Sequence, residues 1–164
     1  MNFDITKVAN AIVYMLDNNV QHLNDKKLSI LLFLMDYSNV DNYKEKIFGE
    51  QYIKEKRQPE PKIISDIFDI LANDLDLDEE DERRYLITEL LEYVDIEIFE
   101  KNKFIELKFV KMEEEFDKSL FSKKEMITMD TIIEKYKDET ARKVANATFQ
   151  KEKVRNTNLG EVII

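Results

Sequence analysis

The chain has 164 residues, enough for one domain spanning 1–164 that buries roughly two thirds of the surface its unfolded chain exposes. It contains no cysteine, which excludes disulfides, thiolate nucleophiles and cysteine-ligated metals and suits a reducing cytoplasm. A formal net charge of -10 opposes nucleic-acid backbones over most of the surface and suits a basic partner, or simply solubility.

The start, Met1 to Thr6, has no basic segment followed by an apolar one, and no apolar stretch approaches the roughly 20 residues of a membrane span. The expectation is a cytoplasmic protein. With only two glycines and two prolines, an all-β fold of many tight turns is disfavoured.

In chain order, Val8, Ile12, Met15 and Leu16 recur at helical spacing and predict a first helix from about Thr6 to Asn18. After a polar loop, Leu28 to Tyr37 is apolar except at Ser29 and Asp36, so this helix has no wide polar face and is expected to be the buried centre of the fold. Asn24 or Asp25 can cap it. From Tyr43 to Arg57 a short alternation about Gly49 suggests a small extended hairpin, closed by the proline corner Pro59-Glu60-Pro61. Amphipathic helices are expected at about Pro61 to Ala72 and Glu80 to Tyr93.

The period then falls to two. Val94, Ile96 and Ile98, then Ile105, Leu107 and Phe109, alternate with polar residues about a polar turn, which is a β-hairpin with one buried face. Ser122 and Glu125 form a capping-box pattern opening a helix that carries Met126, Met129, Ile133 and Tyr136. A shorter helix, about Glu139 to Ala147, precedes an extended tail. The whole is a mainly α, helix-rich α+β domain: about six helices around a buried central one, with a small antiparallel β-hairpin element.

Little here suggests catalysis. Asp74, Asp76 and Asp78 imitate the first ligands of a calcium loop, but Glu79 and Tyr85 stand where glycine and a bidentate glutamate are required. His22 is the only histidine, so no multi-histidine metal site forms within one chain, and no serine lies in a G-x-S-x-G elbow. The expectation is a protein that is not an enzyme and carries no cofactor or metal. The hairpin and two helices from Phe104 to Ala147 could imitate a winged-helix element. Its basic end, Lys143, Lys151, Lys153 and Arg155, makes a nucleic-acid-binding regulator the alternative reading.

Four features, K-L-S-I-L-L-F-L-M-D-Y (Lys27 to Tyr37), I-F-G-E-Q-Y (Ile47 to Tyr52), P-E-P (Pro59 to Pro61) and the closing series Phe121, Ser122, Glu125, Gly160 and Ile163, together resemble the SocA-like antitoxin domain. This domain is also called the Panacea domain, or phage-associated protein GepA. The resemblance implies an antitoxin that binds a protein toxin directly and blocks it, the toxin being encoded by a neighbouring gene, with a protease as a further partner where the antitoxin serves as an adaptor. Partner contacts are expected on Tyr43, Tyr52, Lys56 and Pro59, which flank the central helix. Two departures from the family pattern stand out. Thr148 and about Val154 occupy the places of its usual histidine and tryptophan, and Gln58 replaces glycine before P-x-P.

Overall fold

The computed structural model describes residues 2–164, and its centre is the helix the apolar run predicts. Helix α1 (Ile5–Asp17) starts at the N-cap Asp4, whose side chain accepts the Lys7 amide. The central helix α2 (Asp25–Tyr43) starts at Asn24, which accepts the Lys27 amide, and ends at Lys44 in the left-handed region (φ 64°). Ten consecutive residues of α2, Lys27 to Asp36, are buried. Such a helix must be enclosed on every side. It is enclosed by α5 (Lys123–Tyr136), α6 (Ala141–Thr148) and the second strand of a small hairpin, while α1 packs against α4 (Glu82–Tyr93).

That small hairpin differs from the expected one. Its strands are β1 (Tyr52–Lys54) and β2 (Pro59–Pro61), paired antiparallel with Ile53 opposite Glu60, so the turn falls at 55–58 rather than at Gly49. Tyr43 is the last residue of α2, and 44–51 is an irregular link. Two prolines fit in a strand here because Tyr52 and Lys54 give their backbone groups to the chain's end. The amide of Tyr52 donates to Ile164 O (3.0 Å), that of Lys54 to Glu161 O (2.9 Å), and Tyr52 O accepts from Ile163 N (2.7 Å). The pairing of β1 with β2 therefore runs through Ile53 and Glu60. Pro59 and Pro61 face the outer edge and forfeit no ladder bond.

Helix α3 (Lys62–Ala72) follows directly from β2, and an acidic loop leads to α4. The period-two segment folds as expected: β3 (Val94–Glu100) and β4 (Ile105–Lys111) pair in full register from Val94 opposite Lys111 to Glu100 opposite Ile105. A short 3-10 turn (Lys118–Leu120) leads to α5, whose capping box at Ser122 and Glu125 is present in both directions. The tail is extended only at its end. Before that it forms a seventh helix, α7 (Glu152–Asn156), which buries Val154.

Gly49 is required by two constraints at once. Its φ is +73°, and a Cβ there would lie 2.3 Å from the carbonyl oxygen of Asn2. Gly160 shares the left-handed conformation (φ +83°), but nothing lies within 4 Å of its would-be Cβ. Gly160→Ala is therefore expected to lower stability by about 1 kcal/mol, the left-handed strain alone. Gly49→Ala is expected to cost about 2 to 3 kcal/mol, because the N-terminal backbone must also move. Denaturant unfolding of the two variants measures the difference.

Candidate functional site

The corner formed by the end of α2, the link 44–51 and β1–β2 is assembled on two buried carboxylates. Asp36, fully enclosed in α2, accepts the amides of Ile47 (2.5 Å) and Phe48 (3.0 Å) on Oδ1. On Oδ2 it accepts the hydroxyl of Tyr52 at 2.7 Å. Burial pushes the Asp36 carboxyl up to about 6, and these hydrogen bonds to its charged form limit the rise.

Glu50, also buried, accepts Gln51 N on Oε1 (2.8 Å) and the amides of Ile63 and Ile64 on Oε2 (3.0 Å each). It thereby caps α3, whose own N-cap, Pro61, has no side-chain acceptor. Burial raises the Glu50 carboxyl and lowers the Lys46 ammonium, which donates to Glu50 O at 2.7 Å. A third tie links α2 to α5 and the link: Asn39 accepts from Thr128 Oγ1 (2.8 Å) and donates to Glu45 O (2.8 Å).

The four residues expected to touch a partner are brought to this one corner, but not all at its surface. Tyr52 is fully buried, its ring meeting that of Phe33 edge-on at 5.3 Å, so it supports the corner and presents nothing to solvent. Pro59 is buried as well. The reason lies in pairing: β1 sits between β2 and the tail, which turns Tyr52 onto α2. Tyr43 is half-buried with the Lys124 ammonium 5.1 Å above its ring, and Lys56 is exposed in the β1–β2 turn. Asp36 and Glu50 lay outside the expected set, although Asp36 is the single charge inside the Leu28 to Tyr37 run, which was its signal.

Three of the four basic residues considered for nucleic-acid binding make contacts at the surface of the fold, and Lys143 and Arg155 remain exposed. Lys143 pairs with Glu139 (3.6 Å), Lys151 lies over the Tyr37 ring (4.7 Å), and Arg155 donates to Phe149 O and Gln150 O (3.0 and 2.7 Å). Of the departures from the family pattern, Thr148 and Val154 fall on buried positions, Thr148 donating to Ala145 O (2.6 Å) and Val154 packing in the core, while Gln58 is half-buried in the β1–β2 turn. Among the described residues no cluster of metal-ligating side chains occurs, and no helix is long and apolar enough to cross a membrane.

Replacing Asp36 separates its charge from its hydrogen bonds. Asp36→Ala leaves the two amides of Ile47 and Phe48 without an acceptor, while the Tyr52 hydroxyl retains Leu32 O (3.1 Å), and is expected to cost about 3 to 5 kcal/mol. Asp36→Asn keeps the acceptor oxygen and is expected to cost about 1 kcal/mol. The folded carboxyl at about 6 lies above its ordinary 3.8, so between these pH values the folded state holds the extra proton. Its stabilising contribution is full below about pH 4 and is lost as pH rises through about 6, a change of about 3 kcal/mol. Denaturant midpoints measured from pH 4 to 7 should show this slope in the natural protein and a flatter one in Asp36→Asn.

Comparison with curated proteins and with solved structures gives no significant match. The family described as antitoxin SocA-like, Panacea domain matches residues 14–153, from within α1 to the start of α7 and including the whole of the corner. The chain belongs to the SocA-like antitoxin, Panacea domain family.

Proposed function

We propose that this protein is an antitoxin that neutralises a protein toxin by binding it directly, the toxin being encoded by a neighbouring gene. The family match over residues 14–153 carries the reading. Two features of the fold support it. The corner at the end of α2 is held rigid by Asp36 and Glu50, so a partner binding there orders little new backbone. Its exposed parts, Tyr43 beside Lys124 and Lys56 in the turn, combine an aromatic anchor with charge, a pairing common where binding energy concentrates. Tyr52 and Pro59 act behind them as supports. The nucleic-acid reading has weaker support, because the family match points to an antitoxin and the chain carries a net charge of -10.

Co-expression with the product of the adjacent open reading frame tests the reading, scored by growth rescue and by pull-down. Rescue together with a stable complex is the expected outcome; neither rescue nor complex would overturn it. Following the toxin's lifetime in the same cells distinguishes occlusion, which leaves the lifetime unchanged, from delivery to a protease, which shortens it.

Substitutions at the corner should divide cleanly. Tyr43→Ala and Lys56→Glu are expected to weaken the complex by roughly tenfold each, about 1.4 kcal/mol, with unchanged melting temperature. Tyr52→Ala is expected to lower stability by about 3 to 5 kcal/mol, through the lost ring and the lost hydrogen bond to Asp36 Oδ2.

A further inference from the structure

Strand β3 has one partner, β4, and its other edge is open. The hairpin's closing bond, Lys101 N to Phe104 O (2.9 Å), fixes which backbone groups point where. With Phe99 opposite Glu106 and Glu97 opposite Lys108, alternation makes these the hydrogen-bonded pairs, so Ile96, Ile98 and Glu100 aim their amides and carbonyls away from β4. Two contacts agree with this assignment. The Ile96 amide is taken by the neighbouring Asp95 carboxylate (2.9 Å), and Leu107, opposite Ile98, gives its amide to Asp25 Oδ1 (3.1 Å) on the far side of β4. The edge of β4 is thus partly closed by the start of α2, while that of β3 offers Ile98 and Glu100 in both directions.

The side chains along this edge alternate in character. Ile98, on the core-facing side, is 48% exposed. Asp95 and Glu97, on the opposite face, are exposed and form no ion pair among the described residues. Exposed strand edges attract other strands, and charged side chains decide which ones. A second copy pairing about Ile96 or Glu97 would set these carboxylates against one another, which disfavours those registers, whereas pairing about Ile98 would set Asp95 opposite Lys101 and Glu97 opposite Phe99. A strand with lysine or arginine on one face and apolar residues on the other meets opposite charge on the first and Ile98 on the second.

We propose that the open edge of β3 is a docking site for an extended segment of the toxin in which basic and apolar residues alternate, added as a third strand beside β3. The inference deepens the antitoxin reading and rests on it for the source of the segment. The edge lies beyond β4 near the start of α2, and Tyr43 lies at that helix's other end, about 28 Å away along 19 residues, so the two surfaces can be altered separately.

Hydrogen exchange on the full chain, with a synthetic peptide of alternating lysine and valine as probe, tests the edge. The expected result is slowed exchange of the Ile98 and Glu100 amides with this peptide and none with its glutamate–valine counterpart. Ile98→Pro removes an outward donor without touching a β3–β4 bond, so the fold should survive, as circular dichroism will report, while peptide binding falls by roughly tenfold or more. Glu97→Lys should weaken binding while leaving every backbone group in place. No protection at Ile98 and Glu100, equal protection by the acidic peptide, or undiminished binding to a folded Ile98→Pro would each overturn the proposal. In the co-expression assay, rescue by the natural protein and equally by Ile98→Pro overturns the edge and leaves the antitoxin reading standing. Absence of rescue by the natural protein, with peptide protection intact, overturns the antitoxin reading instead.

Discussion

The structure depends on a single charge placed inside an apolar helix. Asp36 lies where water cannot reach it, and an unpaired carboxylate there would cost several kcal/mol. Three donors offset that cost, and each belongs to a segment with no helix or long strand of its own: the amides of Ile47 and Phe48 and the hydroxyl of Tyr52. One desolvated group therefore fixes the path of the link 44–51. The consequences propagate. Once the link is fixed, Glu50 falls where it can take the first amides of α3, and β1 lies where the tail pairs with it. A buried charge of this kind contributes less to net stability than to choosing one arrangement over its competitors.

The opposite end of α2 is anchored by the opposite charge. Lys27 is fully buried one turn into the helix, where the macrodipole disfavours a cation. Its ammonium donates to Gln21 O (2.5 Å) and to Lys137 O (3.0 Å), the latter being the carbonyl of the residue that ends α5. The C-terminus of one helix thus supplies the partial negative charge that the N-terminus of another lacks. Burial lowers the Lys27 ammonium, and the nearby Asp138 and Glu139 act the other way. Between Lys27 and Asp36 the helix needs only apolar contact, which is why ten successive positions can be enclosed.

Local signals in the sequence were legible, and those that depend on distant pairing were not. The period of two in Val94 to Phe109, the capping box at Ser122 and the apolar run of α2 each act within a few residues, and each appears where expected. The β1–β2 hairpin was displaced because its position is set from outside. Gly49 suggested a turn, but its conformation serves the close approach of Asn2, and the real strands are defined by pairing with residues 161–164 over a hundred positions away. Tyr52 read as a surface aromatic for the same reason. Nothing adjacent to it in sequence reports that Asp36, sixteen residues earlier, requires its hydroxyl. The end of α2 extends to Tyr43 through polar residues because Asn39 finds partners on α5 and the link, a tertiary override of local pattern.

The distribution of charge binds these observations to function. From Asp74 to Asp117 the chain holds seventeen carboxylates and six basic side chains, a net of -11 against -10 for the whole, so the acidity belongs to α4, β3–β4 and their loops. Part of it is neutralised locally, by Arg83 between Asp66 and Asp81 (2.9 and 2.7 Å), yet Asp95 and Glu97 on the open strand form no ion pair among the described residues. Concentrating like charge in one lobe raises self-repulsion, a cost that a fold seeking only solubility would avoid by spreading it. Like charges directly opposite one another across a strand edge disfavour pairing, and opposite charges favour it. The corner at the far end of α2 contrasts with this lobe, because from Asp36 to Lys62 six carboxylates are matched by six basic side chains.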